Sequence, residues 1–150
     1  MSNTFKNNTT ITNGDDFVYF TGLTGNGGNM DVSGCTNMTQ ITLPPNITQM
    51  PNVSWCTSLT SITGLDHINS VSNGRFNRCT ALQSLTFTNL TGVCEIGEHL
   101  TSLTSISLNE GCTKFSINGN NSVMTSISIP SSVTQCDITS YTGLTTITFG

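Results

Sequence analysis

The strongest constraint on the fold is an internal repeat with a period of 20 to 23 residues. The segment Cys56–Ile62 reads CTSLTSI, and it returns as CTALQSL at Cys79–Leu85 and as LTSLTSI at Leu100–Ile106. Successive units, separated by 21, 23, 21, 21 and 20 residues, open at Cys35, Cys56, Cys79, Leu100, Asn121 and Tyr141. Because one such unit is too short to enclose its own core, the repeat predicts a solenoid of stacked coils.

Apolar residues occupy three fixed positions near the start of each unit. The first column holds Met38, Leu59, Leu82, Leu103, Met124 and Leu144. The second holds Ile41, Ile62, Leu85, Ile106, Ile127 and Ile147, and the third holds Leu43, Gly64, Phe87, Leu108, Ile129 and Phe149. The second and third columns are two residues apart, as the side chains on one face of a strand are. Each unit is therefore predicted to form a short strand at the end of its first half.

A second apolar cluster in each unit, such as Ile47 with Met50, predicts a second extended segment. Turn residues such as Pro44-Pro45 and Asn73-Gly74 separate the segments and disfavour long helices. We therefore predict a mainly β fold: a right-handed leucine-rich-repeat solenoid with about two short parallel strands per coil and little helix.

We expect residues 1–150 to form one repeat domain. Residues 35–150 supply about five and a half repeats, and residues 1–34 an N-terminal cap and a degenerate first coil. Within that coil, Gly14–Gly34, Phe17, Phe20 and Val32 lie near core columns, and Gly25–Gly28 is expected to be a flexible loop. Residues 1–13 are expected to cover the end of the solenoid.

Composition and charge exclude several partners. Charged residues make up 8% of the chain and the net charge is -4. The basic side chains are Lys6, Arg75, Arg78 and Lys114, too few to neutralise a run of phosphates. We expect no nucleic-acid partner and no membrane insertion, since no apolar stretch approaches about 20 residues. The first residues also lack the features of a secretory signal.

The residues that could carry chemistry do not form a recognisable site. Cys35, Cys56 and Cys79 share one column and should stack as buried, reduced core residues, because no Cys-x-x-Cys pair or nearby histidines accompany them. We expect the same of Cys94, Cys112 and Cys136, with a Cys112–Cys136 or Cys94–Cys112 bridge as the alternative.

The acidic residues and histidines scatter over different columns, so the repeat brings no catalytic carboxylate pair or triad together. They are Asp15, Asp16, Asp31, Asp66, His67, Glu95, Glu98, His99, Glu110 and Asp137. We expect no catalytic site, cofactor or metal, although Glu95, Glu98 and His99 around one ion would change that interpretation.

Hydroxyl side chains line the outward face of the predicted ladder of strands. One column holds Thr42, Thr63, Thr86, Ser107, Ser128 and Thr148, and its neighbour holds Gln40, Ser61, Ser84, Ser105, Ser126 and Thr146. This uncharged array could bind a glycan or a protein, or order water as ice-binding solenoids do. The alternative is structural, because threonine suits exposed β positions in general.

The C-terminal end presents a second candidate surface. The chain ends just after a ladder strand, so Leu144, Ile147 and Phe149 are expected to need a cover. Self-association, a capping subunit or a longer parent chain could supply it, and uncapped strands otherwise invite aggregation.

The stretch Val123–Gln135, VMTSISIPSSVTQ, resembles the Cys-x-x-Leu-x-x-Ile-x-Ile-Pro-x-Ser-Val pattern of the BspA-type leucine-rich repeats, and Met38–Ile47 is a weaker copy. The resemblance extends over residues 35–150. The family's Ala-Phe step before the cysteine survives as Arg75-Phe76, so the convex side departs from the pattern.

The resemblance implies a non-enzymatic surface protein. Such proteins occur in host-associated bacteria and protists and act in adhesion, and similar repeats occur in bacteriophage virion proteins. We therefore expect a structural or binding module on a virion or cell surface that attaches to protein or glycan. An intracellular interaction scaffold is the second interpretation and an ice-binding protein the third.

Overall fold

Each repeat unit folds into one coil of a β-solenoid of about five turns, with almost no helix, as the period predicts. The computed structural model describes residues 3–15 and 30–150. The strands are β1 (Asn3–Thr4), β2 (Asn13–Gly14), β3 (Met30–Asp31), β4 (Gln40–Thr42), β5 (Ser61–Thr63), β6 (Ser84–Thr86), β7 (Val93–Glu95), β8 (Ser105–Ser107), β9 (Lys114–Ile117), β10 (Ser126–Ile129), β11 (Gln135–Ile138) and β12 (Thr146–Phe149). A 3-10 helix at Leu65–His67 lies between β5 and β6.

The ladder formed by the first strand of each coil is parallel and in register. It consists of three sheets, with strand orders β2-β4-β5, β6-β8 and β10-β12. Ser61 pairs with Gln40, Ser105 with Ser84, and Thr146 with Ser126. Corresponding positions of the sequence repeat are therefore neighbours in space, as a one-coil period requires.

The ladder is interrupted between β5 and β6 and again between β8 and β10, although the sequence predicts continuous pairing. The first interruption has a local cause. The unit that opens at Cys56 is the 23-residue unit, and it contains the 3-10 helix after Gly64. Gly64 adopts φ 88°, and a Cβ there would lie 2.9 Å from the Leu43 carbonyl oxygen. The glycine thus replaces an apolar column residue to start a turn, which diverts the chain from the neighbouring strand.

The second segments of the coils form another parallel layer. β1 pairs with β3, and β9 lies between β7 and β11. Isolated bridges such as Asp31 with Asn52 extend the pairing between coils whose second segment is too irregular to form a full strand. The prediction of about two extended segments per coil is thus confirmed.

The core lies between these two layers and contains the predicted columns. Leu59, Leu82 and Leu103 are fully buried, as are Ile41 and Phe87. Burial decreases towards the last coil, where Ile147 is 43% and Phe149 is 71% exposed.

Residues 3–15 also form a coil. β1 pairs with Met30–Asp31, and β2 with Gln40–Ile41. Phe5 and Ile11 pack against the core, and Val32 of the next coil is fully buried. Phe17, Phe20 and the Gly25–Gly28 loop of the sequence interpretation lie outside the described residues.

Candidate binding surfaces

The outward side chains of the ladder strands form a polar surface, here called the hydroxyl face. It comprises Gln40, Thr42, Ser61, Thr63, Ser84, Thr86, Ser105, Ser107, Ser126, Ser128, Thr146 and Thr148. All are exposed except Thr42, which is half-buried. The strand register places them in two columns within each of the three sheets.

Asp15 lies at the N-terminal end of this face. Its carboxylate accepts hydrogen bonds from the Thr42 hydroxyl and the Gln40 amide. The Thr42 hydrogen bond, with help from Gln40, lowers the pKa of Asp15 below its ordinary value. The described hydroxyl face is therefore uncharged apart from an ionised carboxylate at one end.

Another threonine column, directly before the ladder strands, has a structural role that the sequence interpretation missed. The Thr60 hydroxyl donates to the Thr39 carbonyl of the preceding coil at 2.9 Å, and the Thr104 hydroxyl donates to the Gln83 carbonyl at 3.0 Å. Thr39 and Thr145 repeat the contact. We call these four residues the spine threonines, because their hydroxyls tie one coil to the next.

The hydroxyls of the face are different. Thr63 and Thr86 make no side-chain hydrogen bond to the described part of the chain, although they lie only a few residues from spine positions. Threonine abundance therefore has two origins in this fold. The spine hydroxyls are used internally, whereas those of Thr63 and Thr86 remain available to a ligand.

This difference predicts unequal effects on stability. Thr60→Val with Thr104→Val removes two inter-coil hydrogen bonds, so the free energy of unfolding should fall by about 1 to 3 kcal/mol. Thr63→Val with Thr86→Val should change it by less than about 0.5 kcal/mol per site. Urea unfolding of the two matched double variants provides the comparison, and equal losses would contradict the assignment of the spine.

The cysteines are buried with one exception. Cys35, Cys56, Cys79, Cys94 and Cys112 are buried and all six thiols are free, so neither alternative disulfide is present. The Cys56 and Cys79 thiols donate to the Val32 and Val53 carbonyls of the preceding coils. Burial raises the pKa of Cys56 to about 12, and it raises that of Cys79 further. These thiols are therefore protonated core residues.

Cys136 corrects the sequence interpretation, because it is exposed. It lies on β11, which pairs with β9 on one side and forms the edge of its sheet among the described residues. The column position is the one expected of a core residue. Cys136 is exposed because no further strand of the described chain packs beside β11.

Thiol reactivity should report this difference. In the reduced native protein, Cys136 should react with a disulfide reagent within minutes at pH 8, while the five buried thiols stay protected. All six should react after denaturation. Cys136→Ser should abolish the fast phase, and a fast phase that survives this substitution would refute the assigned burial pattern.

The acidic residues and histidines remain dispersed in the described part of the chain. His67 lies 3.8 Å from Asp66, and His99 lies 3.9 Å from Glu98, each a contact between sequence neighbours in a turn. Glu95 instead accepts from the Lys114 ammonium at 2.6 Å. No three His, Cys, Asp or Glu side chains among residues 3–15 and 30–150 converge as metal ligands would.

The last coil exposes the apolar residues singled out at the C-terminal end. Leu144 is half-buried, whereas Ile147 and Phe149 are 43% and 71% exposed. Ile147 and Phe149 belong to β12, and Leu144 lies two residues before it. Within the described chain, β12 pairs with β10 on one side only. The end therefore combines apolar side chains with an unpaired strand edge.

A row of left-handed turn residues forms one corner of the solenoid, and the sequence interpretation did not identify it. The row consists of Asn7, Gly34, Trp55, Arg78, His99 and Ser140, with φ between 58° and 73°. All but Gly34 carry a side chain, although this conformation is uncommon for residues other than glycine. Inter-coil hydrogen bonds fix the row, as when the Trp55 amide donates to the Asn77 carbonyl at 2.7 Å.

Trp55 is the one large aromatic side chain of this row. It is 53% exposed, and the Arg78 guanidinium lies 4.6 Å from the centre of its ring. The available sequence signal was a lone tryptophan next to a unit-opening cysteine. An open groove of about 500 Å³ lies beside it.

The sequence matches the model of one repeat family over more than half of its length. A model of the BspA type leucine-rich repeat region matches residues 28–118 with six copies. The chain belongs to the BspA-type leucine-rich repeat family. The family match ends before Val123–Gln135, yet the pairing of β10 with β12 shows that parallel coils continue beyond it.

A solved structure supports the same fold. A leucine-rich cell surface protein from Faecalibacterium prausnitzii superimposes with a TM-score of 0.63 and 23% sequence identity. The alignment covers 77% of this BspA-type chain and 34% of the other, so the chain spans about a third of that protein. No curated protein matches the sequence.

Among the described residues, no helix has the length and apolar character needed to cross a bilayer.

Proposed function

We propose that this chain is a non-catalytic attachment module, displayed on a cell or virion surface, that binds a protein or a glycan through its hydroxyl face. The observation that carries the proposal is the contrast between two sets of hydroxyls. Spine threonines bond to the neighbouring coil, whereas Thr63 and Thr86 project into solvent without a partner in the described chain. Family membership supports it, since repeat solenoids offer extended binding surfaces.

The chemistry of the face suits such a partner. Hydroxyls both donate and accept hydrogen bonds, so a regular array of them complements sugar hydroxyls or the polar groups of a protein surface. Short strands that are fixed by pairing also hold these groups in place, which lowers the entropy lost on binding.

An array of printed glycans and extracellular-matrix proteins tests the proposal. The wild-type chain should give reproducible spots, and Thr63→Lys with Thr86→Lys should reduce their signal about tenfold by adding bulk and charge to the face. Thr91→Lys with Thr113→Lys is the matched control, since both threonines are exposed but lie outside the hydroxyl face. Thr91 lies two residues before β7, and Thr113 directly precedes β9. An array without spots, or equal losses in both variants, would count against the face.

We further propose that the exposed end of the last coil is an assembly surface covered by a second copy of this chain. Ile147 and Phe149 supply apolar area, and the open edge of β12 supplies unpaired backbone groups. Light scattering should show concentration-dependent association that Ile147→Lys and Phe149→Lys abolish. Val123→Lys is the control, because Val123 is 45% exposed but lies outside β12. A monomer at every concentration would contradict self-association.

A further inference from the structure

The groove beside Trp55 arises because one coil lacks a side chain in the turn row. In the order of the coils, Asn7, Gly34 and Trp55 occupy this row. Neighbouring coils are about 4.8 Å apart, so the residues on either side of Gly34 are separated by roughly 10 Å. A Cβ at Gly34 would lie 2.1 Å from the Asn7 side-chain oxygen. The Asn7 amide therefore lies over Gly34, in the space that a side chain there would fill.

Trp55 forms one wall of the groove and is held in place from behind. Arg78, which contacts its ring, belongs to the following coil, whereas the groove is lined by the preceding coils and by Trp55 itself. The guanidinium therefore restricts the ring while leaving the side towards Gly34 accessible. The left-handed backbone of Trp55 is shared by the other residues of the turn row, and its exposed indole distinguishes it from them.

The remaining lining is polar. Asn7 contributes an amide, and Thr36 and Ser54 contribute hydroxyls, none of which bonds through its side chain to the described part of the chain. Lys6 is the charged residue in the lining, and it interacts electrostatically with the carboxylate of Asp31, which lies outside the lining. The groove thus offers an indole, an amide and hydroxyls, with a single charged side chain.

From this combination we infer that the groove binds a neutral carbohydrate, with one pyranose ring stacked on Trp55 and its hydroxyls bonded to Asn7, Thr36 and Ser54. The aliphatic C–H face of a sugar packs on an aromatic ring, while its ring of hydroxyls needs groups that both donate and accept. The volume lies within the range of small-molecule sites.

This inference rests on the proposed attachment function, and it adds a sugar site at the turn corner that acts independently of the hydroxyl face. A shallower groove lined by Asn52, Ser54, Ser72 and Asn73 shares two residues with the first. Further sugar units would extend along it. Linear oligosaccharides should therefore bind more tightly than monosaccharides.

Intrinsic fluorescence tests the inference directly, because Trp55 is the only tryptophan of the chain. The probes are glucose, galactose, mannose and N-acetylglucosamine, with linear oligomers of each. We expect at least one series to shift the emission saturably at millimolar concentration, with affinity rising with oligomer length. No saturable shift with any probe would overturn the inference.

Calorimetry on variants locates the site. Trp55→Asn should weaken binding by about tenfold or more, and Trp55→Phe by less, since phenylalanine retains a ring for stacking. Asparagine tolerates the left-handed conformation, so the fold should survive, and thermal unfolding checks this. Val123→Ala, which shortens an exposed apolar side chain outside the groove, should leave binding unchanged.

The face variant separates this inference from the proposed function. Sugar binding that survives Thr63→Lys with Thr86→Lys but is lost in Trp55→Asn supports the corner groove. Loss in the face variant with retention in Trp55→Asn overturns the groove and leaves the proposed function standing. Binding confined to sialylated or sulfated glycans would overturn the inference of a neutral ligand.

Discussion

Asn121→Ala is expected to lower the free energy of unfolding by about 3 to 5 kcal/mol, because it leaves several buried backbone groups without partners. Asn121 is 1% exposed and opens its coil in place of a cysteine. Its amide nitrogen donates to the Leu100 and Leu103 carbonyls at 2.7 and 2.8 Å. Its oxygen accepts from the amides of Val123 and Met124, both at 2.9 Å.

Asn121 thus ties two coils together with every hydrogen-bonding group of its side chain. Asn120 provides the matched control, since it is exposed and makes no side-chain hydrogen bond to the described chain. Asn120→Ala should change stability by less than about 0.5 kcal/mol. Equilibrium urea unfolding of both variants gives the answer, and similar midpoints would refute the role assigned to Asn121.

Phe115→Ala should have an effect of similar size, about 3 to 5 kcal/mol, through the cavity that it leaves. Phe115 is fully buried and lies at the centre of the second layer, where it pairs with Cys94 on one side and Cys136 on the other. Because each coil contacts mainly its neighbours, the damage should be concentrated in β7, β9 and β11.

Phe149 is the control for ring removal, because 71% of it is exposed. Phe149→Ala should lower stability by less than about 1 kcal/mol. Hydrogen exchange of Phe115→Ala should show faster exchange in the second layer than in β4 and β5. Uniform loss of protection over all coils would contradict the nearest-neighbour picture.

The periodic features of this fold could be predicted from the sequence, because stacked coils convert a one-dimensional repeat into columns of neighbours. Buried Leu59 and Leu82 are confirmed, as is the scarcity of helix. The same logic failed at Cys136 and at two junctions of the ladder, between β5 and β6 and between β8 and β10. A column position predicts burial only where a further coil covers it, and pairing only where the intervening loop allows the strands to meet.

The binding surfaces were harder to predict, because the repeat gives the column of each side chain but not the contacts that it makes. The hydroxyl columns follow directly from strand alternation, and the register places them side by side. No sequence pattern distinguishes Thr60, whose hydroxyl bonds to the preceding coil, from Thr63, whose hydroxyl faces solvent. The groove at Trp55 depends on the backbone conformation of Gly34 and on the stacking of Arg78, neither of which has a sequence pattern of its own.

The central claim is that the hydroxyls of this repeat have two separate roles. Those of the spine threonines hold the coils together, and those of the hydroxyl face bind a partner. It is tested most directly by measuring both stability and array binding for two isosteric double variants. Thr60→Val with Thr104→Val should lower the free energy of unfolding and leave binding of the folded protein intact. Thr63→Val with Thr86→Val should leave stability intact and weaken binding. Binding that is unchanged in the second variant, or lost equally in both, would contradict the claim.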